Sequence, residues 1–148
     1  MSESDLGTGA AAVMAELARR FRAGDIDGAN ELYHPELRIE QPSSLPHGGV
    51  HRGREGAAEM AKIAGEYWGR EIGDPTMFES GDTVVQVTTQ TWTAKATGRS
   101  ATVDVVELIT VTDGLVAEIR VFQQDTYRLL ETLEPDTGTG DDSAQTRQ

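Results

Sequence analysis

Apolar and polar positions alternate most clearly over residues 102–112, Thr-Val-Asp-Val-Val-Glu-Leu-Ile-Thr-Val-Thr. β-Branched side chains pack well on a pleated surface, so this run predicts a long strand. Successive strand residues point to opposite faces. One face therefore holds Val103, Val105, Glu107, Ile109 and Val111; the other holds Thr102, Asp104, Val106, Leu108 and Thr110. The more apolar face carries a carboxyl group at its centre. An ionised carboxylate without a partner is costly to bury, which leaves Glu107 three expectations. It is paired across the sheet, left facing solvent, or raised in pKa and held for chemistry.

Upstream the period is helical. A first helix is expected over residues 8–23, capped by Thr8, with Val13, Leu17 and Phe21 four apart and Met14 and Ala18 beside them. Arg19, Arg20 and Arg22 fall on its wet side. Gly24 ends it, and Asp25 opens a short second helix with Ile26, Ala29, Leu32 and Tyr33 inward, stopped by Pro35. Residues 36–41 alternate as a half-buried strand, with Leu37 and Ile39 turned one way and Arg38 the other. Residues 42–53 are rich in proline, glycine and serine, as a rim loop or lid would be. A third helix over residues 54–71 would bury Ala57, Met60, Ala61, Ala64, Tyr67 and Trp68, until Gly73-Asp74-Pro75 breaks it.

The rest reads as strands at 76–79, 83–97, 102–112 and 115–124, divided by turns at Ser80-Gly81-Asp82, Gly98-Arg99 and Asp113-Gly114. Asp125 would cap a terminal helix to residue 133, carrying Tyr127, Leu129, Leu130 and Leu133. Helices followed by a meander of antiparallel strands imply an α+β fold, with helices on one face of a strongly curved sheet. Such a cone encloses a pocket. A single domain is expected over residues 9–133, with a loose N-terminus at 1–8 and a disordered acidic tail at 134–148. No internal repeat is visible.

Composition narrows the function. With 148 residues and 37% hydrophobic content, the chain suits one domain with a real core. Its 25 acidic and 13 basic residues give a net charge of −12, which disfavours nucleic acid and anionic membrane surfaces as partners. Without cysteine there can be no disulfide, thiol nucleophile or thiolate metal site. Residues 1–9 lack the basic start and apolar core of a signal peptide, and no apolar run approaches the roughly 20 residues that span a bilayer. A soluble cytoplasmic protein is expected.

A resemblance adds to this reading. Ala23-Gly24-Asp25-Ile26, Leu32-Tyr33-His34-Pro35, Ile39-Glu40-Gln41-Pro42 and Arg52-Gly53-Arg54-Glu55-Gly56 resemble, in order and spacing, the SnoaL-like branch of the NTF2-like superfamily. So does the closing Asp113-Gly114 with Glu118-Ile119-Arg120-Val121-Phe122 and Asp125-Thr126. The likeness covers roughly residues 13–133 and implies an NTF2-like cone with three helices around an apolar pocket. The superfamily includes ketosteroid isomerases, polyketide cyclases, limonene epoxide hydrolases, dehydratases and non-catalytic members, so fold leaves function open.

Against the ketosteroid isomerase pattern, the general-base Asp of the first strand falls on Gln41, and the oxyanion-hole Tyr of the first helix falls on Leu17. The protonated Asp of the long strand falls on Glu107. An amide cannot abstract a proton at neutral pH, so steroid isomerisation of that kind is not expected. The resemblance does turn Glu107 into the pocket, where carboxyl pKa values move. It places Ile39, Gln41, Gln90, Trp92, Val105, Ile109, Ile119, Val121 and Gln123 on the pocket face, with Met60, Ile63 and Tyr67 or Trp68 facing them from the third helix. Trp68 and Trp92 read more readily as plain core than as stacking platforms, and Gln90 and Gln123 read also as partners of one another.

His47 and His51 are four apart, but Gly48-Gly49 and Pro46 forbid the helix that would align them on a metal. Either could instead assist proton transfer at the pocket mouth, His51 being the better held. No nucleotide-binding glycine pattern and no Gly-x-Ser-x-Gly elbow occurs, and no cofactor or metal is expected. The implied activity is a cyclase or isomerase acting on a hydrophobic polyketide-like molecule, with Glu107 as acid/base and Gln41, Gln90 and Gln123 orienting oxygens. An epoxide hydrolase would want a second carboxylate, and Glu40 lies on the wrong face. A non-catalytic binding module is the other reading. The resemblance also implies a homodimer through the outer sheet face, which carries Val106, Leu108 and Thr110.

Overall fold

Seven strands form one curled sheet in the computed structural model, which describes residues 9–135. Along the chain the elements are α1 (Ala10–Arg22), α2 (Ile26–Asn30), β1 (Tyr33–Gln41), β2 (Gly49–Arg52), α3 (Gly53–Tyr67), β3 (Trp68–Ile72) and β4 (Thr76–Ser80). Then come β5 (Thr83–Ala94), β6 (Ser100–Thr112), β7 (Leu115–Gln123) and α4 (Thr126–Glu131). Spatial order is β2-β1-β7-β6-β5-β3, with β4 also paired to β5. The α+β cone expected from the sequence is the fold observed. Thr8, expected to cap the first helix, and residues 136–148 of the expected tail lie outside the described residues.

The β5–β6–β7 meander is the frame. Asp113 and Gly114 both take positive φ, 54° and 76°, as a two-residue turn between strands of right-handed twist requires. Alternation then decides what is buried: Val103, Val105, Ile109 and Val111 of β6 face the core, while Thr102 and Asp104 are exposed. Leu17 and Met14 from α1, Ala57 from α3 and Leu45 from the 42–48 loop complete one apolar cluster over the concave face. Among the described residues, no helix is long and apolar enough to cross a membrane.

Several expectations give way. Tyr33 is not on the second helix, which spans only Ile26–Asn30; it opens β1 and lies opposite Val116 of β7. The cause is Pro35, which pushes the residue before it out of helical space and admits an extended chain on either side. Ile26, expected inward, is exposed. The third helix stops at Tyr67 instead of 71, because Trp68–Ile72 pairs with residues 90–94 of β5. Ala61 and Tyr67, expected on its buried stripe, are exposed, while Trp68 is buried as the first residue of β3. Phe21, predicted inside on α1, is 41% exposed. A short strand, Gly49–Arg52, lies within the punctuated stretch and pairs with β1. β1 and β7 run parallel, the one departure from an antiparallel sheet. β5 ends at Ala94, where a turn closed by Gly98 begins.

On the outer face, Arg38 bridges Glu40 and Glu118, and Arg120 approaches Glu40. Asp104 bonds Thr89 there at 2.7 Å. Glu40 and Asp104 thus point away from Glu107, as strand parity predicts.

Candidate active site

Glu107 stands at the middle of β6 on the concave side, across from Gln86 of β5 and Val121 of β7. The Gln86 side-chain amide donates to its Oε1 at 2.7 Å. Burial pushes the Glu107 carboxyl above the ordinary carboxylate range; the Gln86 hydrogen bond and the charge of Arg70 work in the other direction without cancelling it. Glu107 is thus half-buried among apolar neighbours, with Gln86 as a cross-strand partner and its carboxyl raised by burial. Tyr33 is close enough to feel it: burial, then the negative charge of Glu107, raise the phenol to about 12.

Beyond this pair lies an aromatic cluster. Trp92 and Trp68 meet edge to face at 5.0 Å, and His47 stacks on Trp92 at 5.9 Å. His47 is 2% exposed, and its Nδ1 has no hydrogen-bond partner. Burial, the Arg70 charge and that of His51 lower its pKa to about 4, so the ring is neutral. The Arg70 guanidinium lies over Trp92 at 5.5 Å. Trp68 Nε1 donates to Thr132 Oγ1 at 2.8 Å. Trp92 Nε1 donates to Gln90 Oε1, and Gln90 Nε2 to Thr88 Oγ1, each at 2.8 Å. Gln90 therefore spends both ends of its amide inside the protein and does not pair with Gln123.

The remaining candidates divide by position. Leu17, Ile39, Val105, Ile109, Ile119 and Val121 are buried in the apolar cluster. Met60 is half-buried, and its sulfur accepts from Gln41 Nε2 at 3.3 Å. Tyr67 is 40% exposed, its ring 5.8 Å from that of Trp68. His51 is half-buried opposite Ile39; its Nε2–H donates to the His47 carbonyl at 2.8 Å. That bond ties β2 to the loop holding His47. Gln41 and Gln123 lie at one end of the sheet, where they line a cleft of about 390 Å³ with Glu40, Pro42, Ser43, Arg120, Val121 and Thr126. Glu107 does not line this cleft; Val121, its cross-strand neighbour, does. Among the described residues, no group of three or more acids and histidines could hold a metal ion.

Sequence reasoning missed Tyr33, Gln86 and Arg70 as neighbours of the site; His47, expected with His51 at the pocket mouth, is instead buried against Trp92. Parity alone could have found Gln86, which shares a face with Gln90 and Trp92. Trp68 and Arg70 alternate in the same way once the helix is ended at Tyr67.

Helices packed over the concave face of a curled mixed sheet define an NTF2-like fold. An NTF2-like protein from Burkholderia xenovorans LB400 superposes with a TM-score of 0.76 at 25% identity, covering 84% of this chain and 95% of that one. TerC co-crystallised with polyporic acid matches with a TM-score of 0.75 at 26% identity, over 84% and 97%. A Mesorhizobium loti protein provisionally named a SnoaL-like polyketide cyclase matches with a TM-score of 0.59 at 25% identity, over 76% and 97%. Residues 14–119 match the SnoaL-like domain, and the chain belongs to that family. No curated protein matches it.

Proposed function

We propose that the protein is a cofactor-free enzyme that cyclises or isomerises a hydrophobic, polyketide-like small molecule by acid/base catalysis at Glu107. The observation that carries this is a desolvated carboxyl, hydrogen-bonded by Gln86 and within electrostatic reach of the half-buried Tyr33 phenol. A carboxyl that keeps its proton to higher pH can give it to an oxygen on which negative charge develops, and take it back afterwards. Tyr33 supplies a second donor toward the same oxygen. For an intramolecular ring closure, holding the chain folded contributes much of the rate. The polyporic acid seen with TerC and the cyclase name of the Mesorhizobium loti relative support a substrate of this class. Replacing Glu107 with Gln keeps the shape and removes the acid. Turnover of a polyketide-like substrate should fall by about tenfold or more, with the fold retained by circular dichroism; unchanged turnover sinks the acid/base role.

Gln41 favours a second reading, a ligand-binding module, since an amide stands where a related enzyme would hold its base. Incubation with hydrophobic metabolites at several pH values separates the two: recovery of the bound molecule unaltered at every pH supports the module. We also propose a homodimer built on the outer sheet face. Phe78 and Phe122, 61% and 46% exposed, flank the half-buried Val85, Val106 and Leu108 there.

A further inference from the structure

We infer that the cleft between the ends of β1 and β7 takes its ligand through hydroxyl or enol groups that donate hydrogen bonds, with Gln41 and Gln123 as the receiving residues. This names the substrate class of the enzyme proposed above and rests on that reading. The side-chain oxygens of Gln41 and Gln123 are both buried, and neither has a donor within the protein. Unmet buried acceptors are disfavoured, and native structures keep few of them. Here two lie on neighbouring strands and belong to residues lining the same cleft.

The orientation of the first amide is fixed. Gln41 Nε2 points at the Met60 sulfur at 3.3 Å, and a thioether can only accept. Turning the amide over would set two acceptors against each other, so the oxygen is the atom left unmet. Gln90 shows how a purely structural glutamine is treated in this sheet: both ends of its amide are bonded. A ligand offering only carbonyls or ethers would leave Gln41 and Gln123 as they are, whereas a phenol, enol or alcohol would satisfy them.

The cleft has room for such a molecule. At about 390 Å³ it falls within the range of small-molecule sites. Pro42, Val121 and Phe122 supply apolar wall, Ser43 and Thr126 supply hydroxyls, and the Glu40–Arg120 ion pair lies on the same lining. Gln123 lies opposite Val105 in the β6–β7 register, two residues from the Val121–Glu107 pair. A strand advances roughly 7 Å over two residues, which is the spacing along β7 between Gln123 and the Val121–Glu107 pair.

The test titrates the full chain with dihydroxynaphthalene and with dimethoxynaphthalene, which share rings but not donors, by ligand-observed NMR. The diol is expected to bind at least about tenfold more tightly. Gln41→Met and Gln123→Met should each reduce that preference by several-fold without lowering the melting temperature, since each removes an unmet acceptor. Equal affinity for the two probes, binding of neither, or a preference untouched by both methionine variants overturns the inference. Glu107→Gln should keep the diol preference. Loss of turnover with the preference absent would leave the enzyme reading standing and this inference fallen; preference without any loss of turnover would do the reverse.

Discussion

His47 and Glu107 are both buried titratable groups, and burial moves them in opposite directions. His47 drops from 6.5 to about 4, so between those values the unfolded chain binds a proton that the folded chain refuses. Stability therefore falls as pH drops through that window, by about 3 kcal/mol over its full width. A His47→Gln variant should lose that part of the acid sensitivity, read as a smaller difference between urea unfolding at neutral and at mildly acid pH. Glu107 is raised, so its favourable contribution is present in acid and is lost as pH climbs through the folded value. Glu107→Gln should thus gain melting temperature relative to the parent as pH rises from about 4 to neutral. The faces of Glu107, Gln41 and Gln123 were legible because a strand side chain has only two directions. Tyr33 was not, since Leu32-Tyr33 continues the apolar spacing of α2 and the strand it begins is set by Val116, far along the chain. The roles of Gln90 and His47 were closed to sequence for a related reason: they depend on which nitrogen meets which oxygen.

Helices and strands here are secured at their ends by groups from elsewhere in the chain. α1 has no side-chain cap at Gly9; instead Glu79 of β4 accepts from the Ala11 N–H at 2.8 Å. Its carboxylate also complements the positive end of the helix dipole. Glu79→Ala should cost about 1 kcal/mol, the usual value of a lost cap, measurable in urea unfolding. The segment after α4 is held differently. Thr132 receives the Trp68 indole N–H and donates to Leu129 O, and the Arg99 guanidinium binds the Glu131 carbonyl at 3.0 Å. Thr132→Val would strand a buried indole donor at a cost of about 1–3 kcal/mol, larger than the exposed Glu79 contact. Elements with strong internal pattern, β5 to β7 and α4, were read from sequence to within about three residues at each end. β3 and β2 were not, because each is too short to carry a pattern of its own and forms only where a neighbouring edge offers hydrogen bonds.

Over the whole molecule, the two sheet faces follow different rules. Inside, apolar residues surround one acid; outside, the hydroxyl pairs Thr91–Thr102 and Thr93–Ser100 and the ion pairs of Arg38 with Glu40 and Glu118 and of Arg120 with Glu40 share a face with Phe122 and Leu108. A charge at the patch centre should tell whether it is an interface. Leu108→Glu is expected to shift a dimer to monomer in sedimentation velocity while leaving the circular dichroism spectrum unchanged; a parent already monomeric at high concentration would dismiss the dimer.

The parallel pairing of β1 with β7 reaches furthest back, to how the chain is made. Arg38 and Glu118, joined across it, are separated by 80 positions. At the usual pace of translation that gap lasts roughly 4–16 seconds. Until β7 is made, β1 has no partner for that flank, and an unpaired strand edge is a surface on which neighbouring chains could dock.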